Sequence, residues 1–335
     1  MDNLTHTLTA IAISQTGLNR KTRFATATLI LAANAPDIDI LAGFRGSIAY
    51  LKYHRGITHS FVGIMVLAIV IWGLMCWIGK RVKPKPSLLL KPRWLLLAAL
   101  LGTGSHLLLD FTNAYGVRPF LPFSERWYAW DIMFIFDPLL LALLILGLGG
   151  PWLLSLVSEE VGARKARLAP GAIFCLVAMV ALWGIRDFAH HRTLSILDSR
   201  TYAGDVPLRF SALPAMVNPF TWMGVVETQT SFHVVNVNTL NANMMPEEVG
   251  TFEKPQPSPA LAAAMKTRAG KVMLDFARFA WAQVEEGEEG YRVSLCDLRF
   301  YNESAQSRGF TLVMELDKNL QTLSESFYFA APRGE

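Results

Sequence analysis

The sequence predicts a mainly α protein: a polytopic helical membrane bundle followed by a soluble α+β domain with an antiparallel sheet. Three observations carry that expectation. Hydrophobic residues make up 52% of the 335-residue chain and charged residues only 17%, with a mean hydropathy of +0.31, an apolar share high for a water-soluble protein. Several uncharged stretches approach the ~20 residues needed to cross a hydrocarbon core of roughly 30 Å. After about Arg186 these stretches give way to Pro, Asn, Thr and segments of alternating polarity.

In chain order, residues 4–18 and 24–41 are apolar but rich in Ala and Thr, and read as short or partly inserted helices. No basic segment and small-residue cleavage site frame a leader, so a cleaved signal peptide is not expected. Residues 61–79 form the cleanest span, followed by 94–109, by 132–157 (interrupted at Asp137-Pro138 and Gly149-Gly150-Pro151) and by 171–185. Lys80, Arg81, Lys83, Lys85, Lys91 and Arg93 crowd one connector without an acidic residue, which places it in the cytoplasm by the positive-inside rule. The basic groups Arg20, Lys21, Arg23 and Arg164, Lys165, Arg167 fall on the same side. Residues 1–186 then form the membrane domain and 187–335 a soluble domain on the outer face.

In that tail "SFHVVNVNTL", "YRVSLCDLRF" and "FTLVMELD" alternate with period two and read as strands. "SPALAAAMKTRAGKVMLDFARF" reads as helix, "EKPQPSP" as a loop and "EEGEEG" as a hairpin turn. Cys76, Cys175 and Cys296 are scattered and suggest neither a disulfide framework nor a metal knuckle. The net charge of +4 is small, and no nucleic-acid partner is expected.

The expected topology gathers His6, Asp37, Asp39, His54, His59, His106 and Asp110 at one end of the bundle. His106 and Asp110, four apart in "GSHLLLD", project from one helical face. They suit two ligands of one metal, or a histidine oriented by its carboxylate. A buried polar pair is the plain alternative, but ionisable groups within membrane spans are costly and usually functional. In "NAPDIDIL", Asp37 and Asp39 follow a helix-ending Pro, so one can ligate metal and the other act as general base; turn capping is the alternative. In "YHRGITHS", Gly56 permits a tight turn, Thr58 or Ser60 can cap the next helix, and His54 and His59 can swing toward one centre. Arg55 would lie beside the metal and bind a phosphate oxygen, or anchor a lipid headgroup. Imidazole and carboxylate donors without thiolates suit zinc or manganese in a hydrolytic site. Further along, Asp131 is expected to cap a helix and Asp137 to support the site from within a span; Trp127, Tyr128 and Trp130 suggest an interfacial belt. His190, His191 and His233 have no carboxylate at useful spacing.

Together "MDNLTHTLTA", "NAPDIDIL", "YHRGITHS", "GSHLLLDFTNAYG" and "PFSERWYAWDIMFIFDP" resemble the YdjM/YbcI-type family of membrane-bound metal-dependent hydrolases over the first half of the chain. The remainder resembles the outer domain of longer members, and the resemblance implies a bacterial cytoplasmic (inner) membrane with that domain on the outer, periplasmic side. The order His, Asp, His, His-x-x-x-Asp is also similar to zinc-dependent phospholipase C and P1-type nucleases. That likeness implies His6, Asp37 or Asp39, His59, His106 and Asp110 as metal ligands. No histidine lies between His106 and His190, so one or two zinc ions are expected in place of three. The function these readings imply is metal-activated hydrolysis of an ester or phosphoester in a lipid or envelope substrate. Two other readings stand beside it: a non-catalytic metal-binding protein, structural or sensory, whose outer domain meets an envelope partner; and a transporter, which a site at one end of the spans fits less well.

Overall fold

The computed structural model describes residues 1–83, 88–160, 168–241, 246–302 and 307–330. Lys85 and the Arg164, Lys165, Arg167 group lie outside them. The chain divides into two compact units. The first comprises Met1–Asp39, Arg55–Phe188 and Met216–Pro219, the second Ile40–His54, Ala189–Ala215 and Phe220–Glu335.

Helices α1 (Asn3–Gln15) and α2 (Ala25–Asn34) open the chain, and the Asp2 carboxylate caps α1 by accepting from the Thr5 amide. Pro36 ends α2, as Pro tends to, and the backbone tightens into a 3-10 stretch over Pro36–Arg45. After α3 (Ser47–Tyr53), which belongs to the second unit, come α4 (Phe61–Arg81), α5 (Pro92–Phe111), α6 (Pro138–Glu160) and α7 (Ala169–Asp198). Ala25–Arg45, Phe61–Arg81, Pro92–Phe111 and Ala169–Asp198 are long and apolar enough to cross a membrane.

The exposure of α4 makes the same point physically. It buries only the stripe Ile64, Ala68, Ile71, Met75, while Val66, Ile69, Val70 and Trp77 on its other faces are each more than half exposed. A helix apolar all round and buried on one side is stable only where its outer faces meet lipid. Close helix approaches use small residues, as in membrane bundles. A Cβ on Gly102 of α5 would fall 2.6 Å from the Ala32 Cβ of α2, and one on Gly147 of α6 would fall 2.2 Å from the Cys175 sulfur of α7.

The tract 132–157 does not begin as helix. Ile132 and Met133 are fully buried in irregular backbone, and α6 starts only at Pro138. The cap expected of Asp131 falls to Asp137, whose Oδ1 accepts from the Leu140 amide at 3.0 Å. The other Asp137 oxygen lies 2.8 Å from the Arg186 guanidinium, both side chains being fully buried. The support expected of Asp137 for the histidines is thus replaced by a tie from α6 to α7.

In the second unit, β1 (Arg209–Pro214), β2 (Thr221–Glu227), β3 (Ser231–Asn238) and β4 (Glu247–Glu253) form an antiparallel meander in that order. Its apolar side is built on Trp222, Val226, Val235 and Val237. A second antiparallel sheet contains β5 (Ala280–Glu286), β6 (Gly290–Asp297), β7 (Tyr301–Asn302), β8 (Ser307–Asp317) and β9 (Thr322–Ala330), with β8 central. β5 and β6 meet in the expected hairpin, where Gly290 has φ +157°. The stretch expected as one helix is two, α8 (Pro259–Lys266) and α9 (Arg268–Phe276), because Thr267 is extended and caps α9 through the Gly270 amide. α3 packs on α9 and β9, with Tyr50 edge-on to Phe329 at 5.5 Å.

Candidate metal centre

Four side chains of the first unit converge: Asp37 from the 3-10 stretch after α2, His59 from a 3-10 turn (Ile57–His59), and His106 and Asp110 from α5. Each offers a donor atom within 4.8 Å of the others, and His59, His106 and Asp110 are buried. The His59 and His106 Nε2 atoms are 2.9 Å apart. From Asp110 Oδ2 they lie 3.3 and 3.6 Å away, and from Asp37 Oδ1 3.5 and 3.6 Å. A tetrahedral ion with bonds of ~2.0–2.1 Å to N and O needs donor–donor edges of about 3.3 Å. The observed edges bracket that value.

Outer contacts aim the rings. His106 Nδ1 lies 2.7 Å from the Ala33 carbonyl oxygen, which can only accept, so this nitrogen carries hydrogen and Nε2 turns inward. His59 Nδ1 faces Asp39 Oδ2 at 3.0 Å, and the same oxygen accepts from the Thr58 hydroxyl (2.7 Å) and the Arg55 amide (2.9 Å). Asp39 therefore sits behind His59 as an orienting group, the arrangement usual around metal-bound imidazoles. With both Nδ1 atoms protonated, two neutral rings would bring Nε2 lone pairs face to face at 2.9 Å. Only a cation between them, a proton or a metal ion, makes that distance favourable. Burial would lower the His59 pKa, but contacts with Asp110, Asp37 and Asp39 outweigh it and push it up to about 10. The pocket thus draws positive charge, and its donors fit a divalent ion.

Arg55, in the left-handed region at φ +56°, turns its guanidinium side-on to Asp110, with Nε 3.1 Å from Oδ2 and Nη2 3.1 Å from Oδ1. Nη1 donates to the Asn113 side-chain oxygen at 2.8 Å, and the group stacks over Tyr115 at 4.7 Å. Its charge faces the Asp110 carboxylate. His6 is fully buried and stacked on His106 with ring centroids 4.0 Å apart, its Nε2 3.4 Å from Asp110 Oδ1. Apart from that approach to Asp110, neither His6 ring nitrogen meets a hydrogen-bond partner among the described residues. The α-amine of Met1 pairs with the same Asp110 oxygen. His54 belongs to the second unit, where it stacks on Tyr50 at 4.6 Å.

Two features of this region follow from local sequence. Ser60 caps α4 by accepting from the Gly63 amide at 3.0 Å, leaving Thr58 for Asp39. Gly63 lets the His59 turn lie against α4, since a Cβ there would fall 1.8 Å from the Ile57 carbonyl oxygen. Sequence spacing missed one polar network. His233 on β3 accepts or donates between Ser231 Oγ (2.9 Å) and Glu248 Oε1 (2.8 Å). The β3–β4 register shifts between Val234 and Val235, and such a bulge re-aims side chains, here bringing the Glu248 carboxylate to a histidine fifteen residues away.

A helical unit with membrane-length apolar helices and a four-donor pocket defines a multi-pass membrane protein with a candidate metal site. The chain belongs to the YdjM inner membrane protein family, whose model matches residues 1–191. Residues 259–330 match the YfhP C-terminal alpha/beta plait domain. The chain is similar to an uncharacterized protein, YfhP of Bacillus subtilis (strain 168), with 31% identity over 109 residues, covering 32% of this chain and 31% of that protein. It thus spans about a third of the length of that relative. No solved structure matches it.

Proposed function

We propose that the protein is a membrane-bound metal-dependent hydrolase acting on an ester, above all a phosphoester, of a lipid or envelope substrate. The observation that carries this reading is the 2.9 Å approach of two ring nitrogens whose partners aim both inward. Asp37, His59, His106 and Asp110 would hold the ion, with zinc the best fit to two imidazoles and two carboxylates. A bound divalent ion would lower the pKa of its water toward ~7 and stabilise developing oxyanion charge. Asp37, the least buried of the four, would accept the proton of that water as general base, while Asp39 keeps His59 aimed. Arg55 serves by fixing Asp110. His6 and Asp110 would hold a second ion, consistent with His6 ring nitrogens that make no hydrogen bond among the described residues. The order of His and Asp residues in the sequence, read above as similar to that of phospholipase C and P1-type nucleases, is the reason for choosing a phosphoester. The C-terminal unit lies on the outer face, so a cysteine at exposed Glu288 is labelled by an impermeant reagent in intact cells; protection there would reverse the topology.

A non-catalytic metal-binding role, structural or sensory, is favoured by one feature: four protein donors can close a tetrahedral site. Metal analysis of purified protein, followed by a phosphodiester and phospholipid panel with His106→Ala as control, decides between them. Hydrolysis lost in the variant supports the hydrolase. Stoichiometric metal without hydrolysis supports the alternative.

A further inference from the structure

Next to the candidate centre, α5 has a second functional-looking face. Within the first unit an apolar groove of about 430 Å³, within the range of ligand pockets, is walled by Phe61 and Ile64 of α4, Leu107 and Phe111 of α5, and Phe120 and Tyr128 of the following loop. The wall residues adjoin the metal-facing ones in the chain: Leu107 follows His106, Phe111 follows Asp110, and Phe61 stands two after His59. Consecutive helical positions are about 100° apart, so the groove lies along the flank of the same turns that aim the ligands inward. The Phe61 amide donates to the Pro119 carbonyl at 2.8 Å, tying the start of α4 to that loop, and Phe61 and Phe120, each about half exposed, meet edge to face at 5.5 Å.

An exposed cation adjoins the groove: Arg126 stacks over the wall residue Tyr128 at 5.4 Å. We infer that this groove holds an acyl chain of a phospholipid, with Arg126 beside its phosphate. The inference rests on the lipid phosphoester reading above and narrows it to a phospholipid whose chain is held here. The groove is walled by the Phe61 end of one span and the Phe111 end of another, where a chain from the bilayer can enter while its phosphoester stays near the polar centre.

The test uses the full chain in nanodiscs containing a trace of phosphatidylglycerol with a diazirine in mid-chain. After photolysis, labelled peptides are mapped, with the lipid-facing Val66 to Val70 segment as the internal measure of bulk lipid. Label concentrated on Leu107 to Phe111 is the expected result; label there no denser than on the reference segment overturns the inference. Gly104 lines the groove, and a Cβ on it meets nothing within 4 Å. Gly104→Leu therefore fills the space while improving helix propensity, and should cut groove labelling about fivefold or more without changing metal content. Unchanged labelling in that variant overturns the inference. A diacylglycerol probe with the same chain, which has no phosphate, should label the groove less; equal labelling overturns the placement of Arg126 at the headgroup. Labelling needs no turnover and persists in His106→Ala, so failure to find hydrolysis and failure of the groove are separate results.

Discussion

Two histidines in this protein make nearly the same bonds in different surroundings. His59 lies between Asp39 at 3.0 Å and the donors of the candidate centre, His233 between Glu248 at 2.8 Å and Ser231 at 2.9 Å. The difference is in the carboxylates. Those around His59 are buried or nearly so, with Asp37, Asp39 and Asp110 between 1% and 9% exposed. Glu248 is 56% exposed. Charge in a low-dielectric pocket must be answered by another charge, whereas water answers for Glu248. Hydrogen-bond geometry alone therefore does not mark a cation site; several carboxylates withdrawn from water around inward-aimed imidazoles do.

Paired substitutions sharpen this contrast. Asp110→Ala removes a donor and leaves Arg55 buried without its carboxylate, so metal should be lost and stability should fall by about 3–5 kcal/mol, read by metal analysis and denaturation. Asp39→Asn should keep the fold but weaken metal binding roughly 10–100-fold, measured by competition with a chelating dye; unchanged affinity would remove Asp39 from behind His59. Acidity offers a third lever. Because the His59 pKa is raised from 6.5 to about 10, the folded metal-free protein holds that proton more tightly than the unfolded chain. Its contribution is complete below pH 6.5 and lost as pH rises through about 10. Thermal melts of chelated protein should fall over that window, and saturating zinc, which replaces the proton, should flatten the trend. The smallest effect belongs to the other histidine. Glu248→Ala, at a solvated site, should cost less than about 1 kcal/mol and leave metal content unchanged; a loss of metal there would break the comparison.

Much of this was legible in the chain because its signals are local. Apolar runs of membrane length, a helix-ending Pro before Asp37 and the four-residue spacing of His106 and Asp110 each need only a short window, and the topology argument carried them to one end of the bundle. What escaped depends on partners distant in the chain. Asp137 is tied to Arg186, forty-nine positions on; Glu248 reaches His233 through a shifted strand register; and the interruption at Thr267 depends on one residue's extended backbone. Arg55 shows the subtler difficulty. Its residue type and place suggest a phosphate contact, while its pairing with the Asp110 carboxylate is visible only in the three-dimensional neighbourhood.

A survey of this protein by chemical function would pass over Gly63, which binds nothing and titrates nothing. Yet the loop bearing one imidazole rests directly on its missing side chain, and even a methyl group there would lift that loop off the helix. Intolerance to substitution at such a spot would look, in a mutational scan, like that of a ligand. The reach of a reactive centre is in this sense set as much by where atoms are withheld as by where they are supplied.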